Sequence, residues 1–69
     1  MKNRIREIRK KRNLTLEELA EKSGISRVSI NRYELGLRMP DLDVALSIAN
    51  ALKCTVDDLI EPYDDRKVV

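Results

Sequence analysis

Residues 14–36 read LTLEELAEKSGISRVSINRYELG, and this stretch limits the fold more than any other. Apolar residues recur at helical spacing on both sides of Gly24. Thr15, with Glu18 three residues on, predicts a capping box at the start of a short helix, and Leu14 and Leu19 stand where a hydrophobic staple belongs. Gly24 after Ser23 predicts its end, because glycine takes a positive φ with no Cβ penalty. Ser26 predicts the cap of a second helix that ends at Gly36, with Ile25 and Ile30 as its staple. Two short helices about a one-glycine turn cross sharply. Ala20 is small where they pass, and Leu19, Ile30 and Tyr33 can seal the angle between them.

The flanking segments carry the same period. Ile5 and Ile8 predict a first helix over about residues 3–12, capped by Asn3, with Asn13 as its left-handed terminator. Pro40 and Asp41 announce a fourth helix whose expected buried face is Leu42, Ala45, Leu46, Ala49 and Leu52. Thr55 opens a short fifth helix with Asp58 as box partner and Cys54 and Leu59 as staple, and Glu61-Pro62 ends it. The stretch 63–69 shows no period. The expected fold is all-α, a compact five-helix bundle forming a single domain over residues 1–69.

Sixty-nine residues leave no room for a second domain or a large catalytic scaffold. With no histidine, a His-based triad, a His metal site and imidazole acid–base chemistry are excluded. With one cysteine, an internal disulfide and a thiolate metal cluster are excluded as well. No enzyme is expected, and no cofactor is implied. The chain lacks the staples of a small secreted domain, a long apolar run and a signal-peptide pattern, so a cytoplasmic location is expected.

Charge is unevenly placed. Residues 1–40 hold eleven Lys or Arg against five acids, and residues 41–69 hold three against seven. A basic half opposite an acidic half suggests a polyanion on one side, most simply nucleic acid.

With these features in order, the chain resembles the lambda-repressor and Cro family, the XRE-type helix-turn-helix transcriptional regulators. The match covers about residues 3–61 and leaves 62–69 as a tail. It rests on Leu14, Glu18, Leu19, Ala20, Gly24, Ser26, Ile30, Tyr33, Glu34, Gly36 and Pro40, and on the later "ALSIANAL" and "VDDLI". The resemblance implies sequence-specific binding of double-stranded DNA in transcription control, usually as a dimer.

If Ile25, Ile30 and Tyr33 point inward, the opposite stripe of the third helix is Arg27, Val28, Asn31, Arg32 and Leu35. Such a helix lies in the major groove with its N-terminal residues on base edges. Arg27 and Arg32 can each grip guanine O6 and N7, and Val28 suits a thymine methyl. Asn31 can read adenine or reach a phosphate. In lambdoid repressors the positions matching Arg27, Val28 and Arg32 touch bases. Ser26, Ser29, Arg38, Arg9 and Lys10 are candidates for phosphate contact, Ser26 alongside its capping role. The resemblance also implies a buried ion pair between Arg9 and Glu34 that sets the angle of the third helix.

The chain departs from the family where Leu16, Leu35 and Leu37 replace residues that usually donate to the DNA backbone. Either backbone affinity is modest, or these leucines bury themselves against protein. A homodimer on a palindromic operator is expected through the C-terminal region: Val56, Leu59 and Ile60, with Val44, Ile48, Pro62 and Tyr63 as further candidates. Cys54 reads as a buried structural thiol. Glu17 and Glu21 occupy the face where lambda repressor touches RNA polymerase, although solvated helix charges are far commoner. The competing reading of the whole chain is a protein-interaction module of the same fold, antitoxin-like or bridging, with weak DNA binding.

Overall fold

The structure is a computed structural model that describes residues 3–60. Five helices follow in order: α1 (Ile5–Lys11), α2 (Leu16–Ser23), α3 (Arg27–Glu34), α4 (Leu42–Leu52) and α5 (Val56–Leu59). Each start has a local chemical cause. Thr15 Oγ1 accepts from the Glu18 N–H and Glu18 Oε1 accepts from the Thr15 N–H, both at 3.0 Å. Thr55 and Asp58 repeat this box before α5 at 3.2 and 3.0 Å. Ser26 Oγ accepts from the Ser29 N–H at 3.1 Å, and Asp41 Oδ1 from the Val44 N–H at 2.9 Å. Asn3 Oδ1 takes the Ile5 N–H at 3.1 Å, so α1 begins two residues after the asparagine.

The ends are equally local. Asn13 has φ 57° and Gly24 φ 74°, and the Gly24 N–H reaches the Ala20 carbonyl at 2.9 Å. α3 closes in a Schellman turn. Gly36 at φ 74° donates to the Tyr33 carbonyl at 3.0 Å, and Leu37 donates to the Arg32 carbonyl at 2.9 Å. Lys53 ends α4 in the left-handed region at φ 55°.

The core draws on every helix: Ile5 and Ile8, Leu19, Ile30 and Tyr33, then Ile48, Ala49 and Leu52, then Leu59. α2 packs chiefly on α4 and α3, while α1 lies against α3 and α4. Leu14, Ile25 and Cys54, the outer halves of the three staples, pack on this cluster. Removing each fully buried Ile or Leu from water contributes about 1.5–3 kcal/mol before conformational entropy opposes it.

The buried face of α4 corrects the sequence expectation. Ala45, Ile48, Ala49 and Leu52 point inward, while Leu42 and Leu46 are 67% and 44% exposed. Both stripes have helical spacing, because LDVALSIANAL is apolar around most of its circumference. The core takes the stripe centred on Ile48. The expected dimer surface changes with it. Ile48 and Leu59 are core residues and are not available to a partner, whereas Val44, Val56 and Ile60 are half-buried against the core. Pro62 and Tyr63 lie outside the described residues.

One tie crosses the whole bundle. Asn3 and Ile60 form an isolated antiparallel bridge, and the Arg4 N–H donates to the Leu59 carbonyl at 2.7 Å. Asn3 Nδ2 also donates to the Tyr33 carbonyl at 2.8 Å. Asn3 thus joins the entry of α1 to the last turn of α3 and the exit of α5. Among the described residues no helix is long and apolar enough to cross a membrane.

Candidate nucleic-acid interface

The angle of α3 is fixed from behind. Arg9 is a buried residue of α1. Its Nε donates to Glu34 Oε2 at 2.8 Å, its Nη2 to Glu34 Oε1 at 3.1 Å, and its Nη1 to the Leu14 carbonyl at 2.8 Å. The side chains are only 10% and 4% exposed. The bidentate fork joins α1, the α1–α2 turn and the final turn of α3. The Glu34 hydrogen bonds raise the Arg9 pKa above its ordinary value against an opposing desolvation penalty, so Arg9 stays cationic throughout the working pH range. Each of the three guanidinium nitrogens of Arg9 thus donates to a protein acceptor. Lys10, its neighbour on α1, is exposed.

With Ile30 and Tyr33 turned inward, α3 turns Arg27, Val28, Asn31 and Arg32 to solvent. All four line one open concavity of about 450 Å³ with Leu16, Leu35 and Leu37. Arg27 Nη1 lies 3.5 Å from Glu17 Oε1, with both side chains largely exposed. Such a pair contributes at most about 1 kcal/mol, too little to hold Arg27 away from a competing partner. Ser26 Oγ accepts the Ser29 N–H and donates to Ser29 Oγ at 2.9 Å. The Ser29 hydroxyl proton therefore remains free to donate beside the N-terminus of α3. Arg38 is exposed just past the Schellman turn.

The leucines divide. Leu16 packs partly against the core, but Leu35 and Leu37 are 59% and 74% exposed. Glu17 and Glu21 are exposed on α2, Glu17 in its pair with Arg27. Cys54 is half-buried, and burial raises its thiol pKa, with the Asp58 charge adding and Arg12 opposing. Asp58 belongs to the α5 box, and no His/Cys/Asp/Glu group among the described residues could hold a metal ion. Sequence reasoning missed the Asn3–Tyr33 bond and the bond from Arg12 Nε to the Leu52 carbonyl at 2.9 Å. Both span thirty or more residues, and no local pattern signals them.

A family model described as Helix-turn-helix matches residues 5–59. The chain belongs to the helix-turn-helix family. Family relatives include an uncharacterized HTH-type transcriptional regulator of Archaeoglobus fulgidus, 40% identical over 68 residues, covering 99% of this chain and 96% of that protein. The HTH-type regulator YqaE of Bacillus subtilis is 36% identical over 64 residues, covering 93% of this chain and 55% of its own length. The chain thus spans about half the length of that Bacillus relative. Among solved structures, the P22 c2 repressor in complex with a synthetic operator aligns with a TM-score of 0.78 at 33% identity, covering 84% of this chain and 88% of that one. The restriction-modification controller protein C.AhdI of Aeromonas hydrophila gives 0.79 at 35%, covering 83% and 86%. The five-helix fold is therefore lambda-repressor-like, in a family of DNA-binding transcriptional regulators.

Proposed function

We propose that this chain is a sequence-specific double-stranded DNA-binding repressor that lays α3 in the major groove. The observation that carries the reading is the outward stripe Arg27, Val28, Asn31 and Arg32, held at a fixed angle by the buried Arg9–Glu34 fork behind it. Arg27 and Arg32 read guanine, Val28 meets a thymine methyl, and Asn31 reads adenine or steadies a phosphate. Ser26, Ser29, Arg38 and Lys10 hold the DNA backbone. The likeness to a repressor whose structure includes an operator supports the same direction.

One such helix reads few base pairs, so two copies on a palindrome, with half-sites about 34 Å apart, supply the missing information. Their seam lies at the α4–α5 end, where Leu46 and Val56 line a shallow concavity and Val44 and Ile60 stand half-buried. Bound there, the dimer acts at the chromosome in the cytoplasm and blocks a promoter. Polymerase contact by Glu17 and Glu21 is the weaker reading, because exposed acids on a helix are ordinarily solvated charges that need no partner.

Arg32→Ala tests the assignment. It should lose about 1–3 kcal/mol at one base pair and relax choice there, leaving other positions unchanged. Equal loss on every sequence would make Arg32 a phosphate contact only. Wild-type binding with no sequence preference and little salt dependence would favour the protein-interaction module.

A further inference from the structure

A second recess lies where the ends of α1, α2 and α4 meet. Leu14 and Ala51, both half-buried, form its floor over the core residue Leu52, and the exposed Arg12, Lys22 and Lys53 form its rim. Its volume is about 170 Å³, and a space of about 150 Å³ takes a benzene ring. None of the lining residues is a carboxylate. Among the described residues the ion pairs are Arg9–Glu34 and Arg27–Glu17, and neither involves a rim cation. Glu18, one turn before Lys22, is held by the Thr15 box. Arg12 is fixed through its Nε, which donates to the Leu52 carbonyl at 2.9 Å, and its two Nη groups have no acceptor among the described residues. Lys53 keeps a side chain at φ 55°, where glycine is at ease. A strained residue kept on a rim of this kind points to a use for its side chain.

A partner must bring anions to the rim and one apolar group to the floor. A DNA backbone brings anions and nothing apolar. An acidic peptide segment with a leucine or aromatic side chain among its carboxylates brings both. We propose that this recess is a docking site for an acidic segment of another protein. One bulky apolar side chain of that segment sits on Leu14 and Ala51, and its flanking carboxylates meet Arg12, Lys22 and Lys53. The recess shares no residue with the concavity of α3. Leu16 lines that concavity and Lys22 lines this recess, and on α2 they stand about 9 Å apart along the axis and about 120° apart around it. DNA on α3 therefore leaves the recess open, and the site does not depend on the major-groove reading.

The test titrates the full chain into a fluorescent peptide of glutamates about a central leucine. One control peptide has serine for the leucine, and another has lysines for the glutamates. The acidic leucine peptide should bind, the serine peptide about tenfold more weakly, and the lysine peptide not at all. Lys22→Glu should weaken binding about fivefold. Lys53→Gly should weaken it by a similar factor while raising Tm, which separates a lost contact from a lost fold. Arg32→Ala, on the α3 face, should leave it unchanged. No binding of the acidic leucine peptide overturns the site, as does binding that is unchanged in both lysine variants. Equal affinity for the leucine and serine peptides overturns it as well, because the floor then plays no part. Binding lost in Arg32→Ala moves the peptide to the α3 face, and duplex affinity lost in Lys22→Glu makes the rim a phosphate contact; either result overturns the site. The chain has its own acidic stretch at 61–65, outside the described residues. A gain in peptide affinity in Asp64→Lys with Asp65→Lys makes that stretch the occupant and overturns a separate partner.

Discussion

Glu34 is the residue whose loss should be felt furthest from where it sits. Its carboxylate satisfies two nitrogens of a buried guanidinium, and Glu34→Ala leaves Arg9 charged and unpaired. Breaking such a pair from one side costs about 3–5 kcal/mol. A core of this size supplies about that much in total, so urea titration should show Glu34→Ala largely unfolded without denaturant. Replacing both partners, Arg9→Met with Glu34→Leu, should recover most of the loss, because no buried charge remains. Gly24 gives a smaller and cleaner effect. A Cβ built there meets nothing within 4 Å, so Gly24→Ala pays only for its φ of 74°, about 1–2 kcal/mol. At this scale the sequence was informative wherever chemistry is local. Thr15, Ser26, Asn13 and Gly24 announce their roles through residues three or four positions away. Asn3 was legible at the entry of α1, where Arg4 and not Asn3 holds the cap position, but not as a tie to Tyr33 and Ile60, since those partners meet it only once the bundle has closed.

Among the elements, α2 and α5 share a device with a pH signature. Backbone hydrogen bonds from Thr15 and Thr55, followed by their hydroxyls, hold the Glu18 and Asp58 carboxyls below their ordinary pKa values. A carboxyl lowered on folding adds stability above its unfolded value and loses it as pH falls through the folded one. The melting temperature should therefore hold from neutrality into the ordinary carboxylate range and drop below it. Glu18→Gln with Asp58→Asn should flatten that acid limb, which a thermal melt series in pH would measure. The end of α4 carries removable strain, because Lys53 sits at φ 55° where glycine is at ease. Lys53→Gly should raise stability by about 1 kcal/mol, which for a domain of this size is about 4–8 °C in Tm. α4 also shows where periodicity fails. Two stripes of an apolar helix satisfied the same spacing, and only packing against α2 and α5 selected Ile48 over Leu42 and Leu46.

In the whole molecule, the basic residues of the N-terminal half and the exposed stripe of α3 bear on one question. The residue types of the stripe were legible from the sequence, because Ile30 and Tyr33 declared the inward face and left Arg27, Val28, Asn31 and Arg32 outside. The shared concavity was not, since Leu16 and Leu37 reach it from α2 and from the turn after α3. If phosphates are neutralised by Lys10, Arg38 and the arginines of α3, log affinity should fall linearly with log salt. The slope should be shallow for the motif, because Arg9 is turned inward and three positions carry leucine. The central claim is that α3 inspects base edges through Arg27, Val28 and Arg32. Selection of the full chain against random-sequence duplex DNA tests it most directly. The account predicts enrichment of a two-fold symmetric site whose half-sites hold guanines beside a methyl-bearing pyrimidine, and loss of that enrichment at single positions in Arg27→Ala and Arg32→Ala. A pool that emerges without enrichment, or one whose motif is the same in both arginine variants, would contradict it.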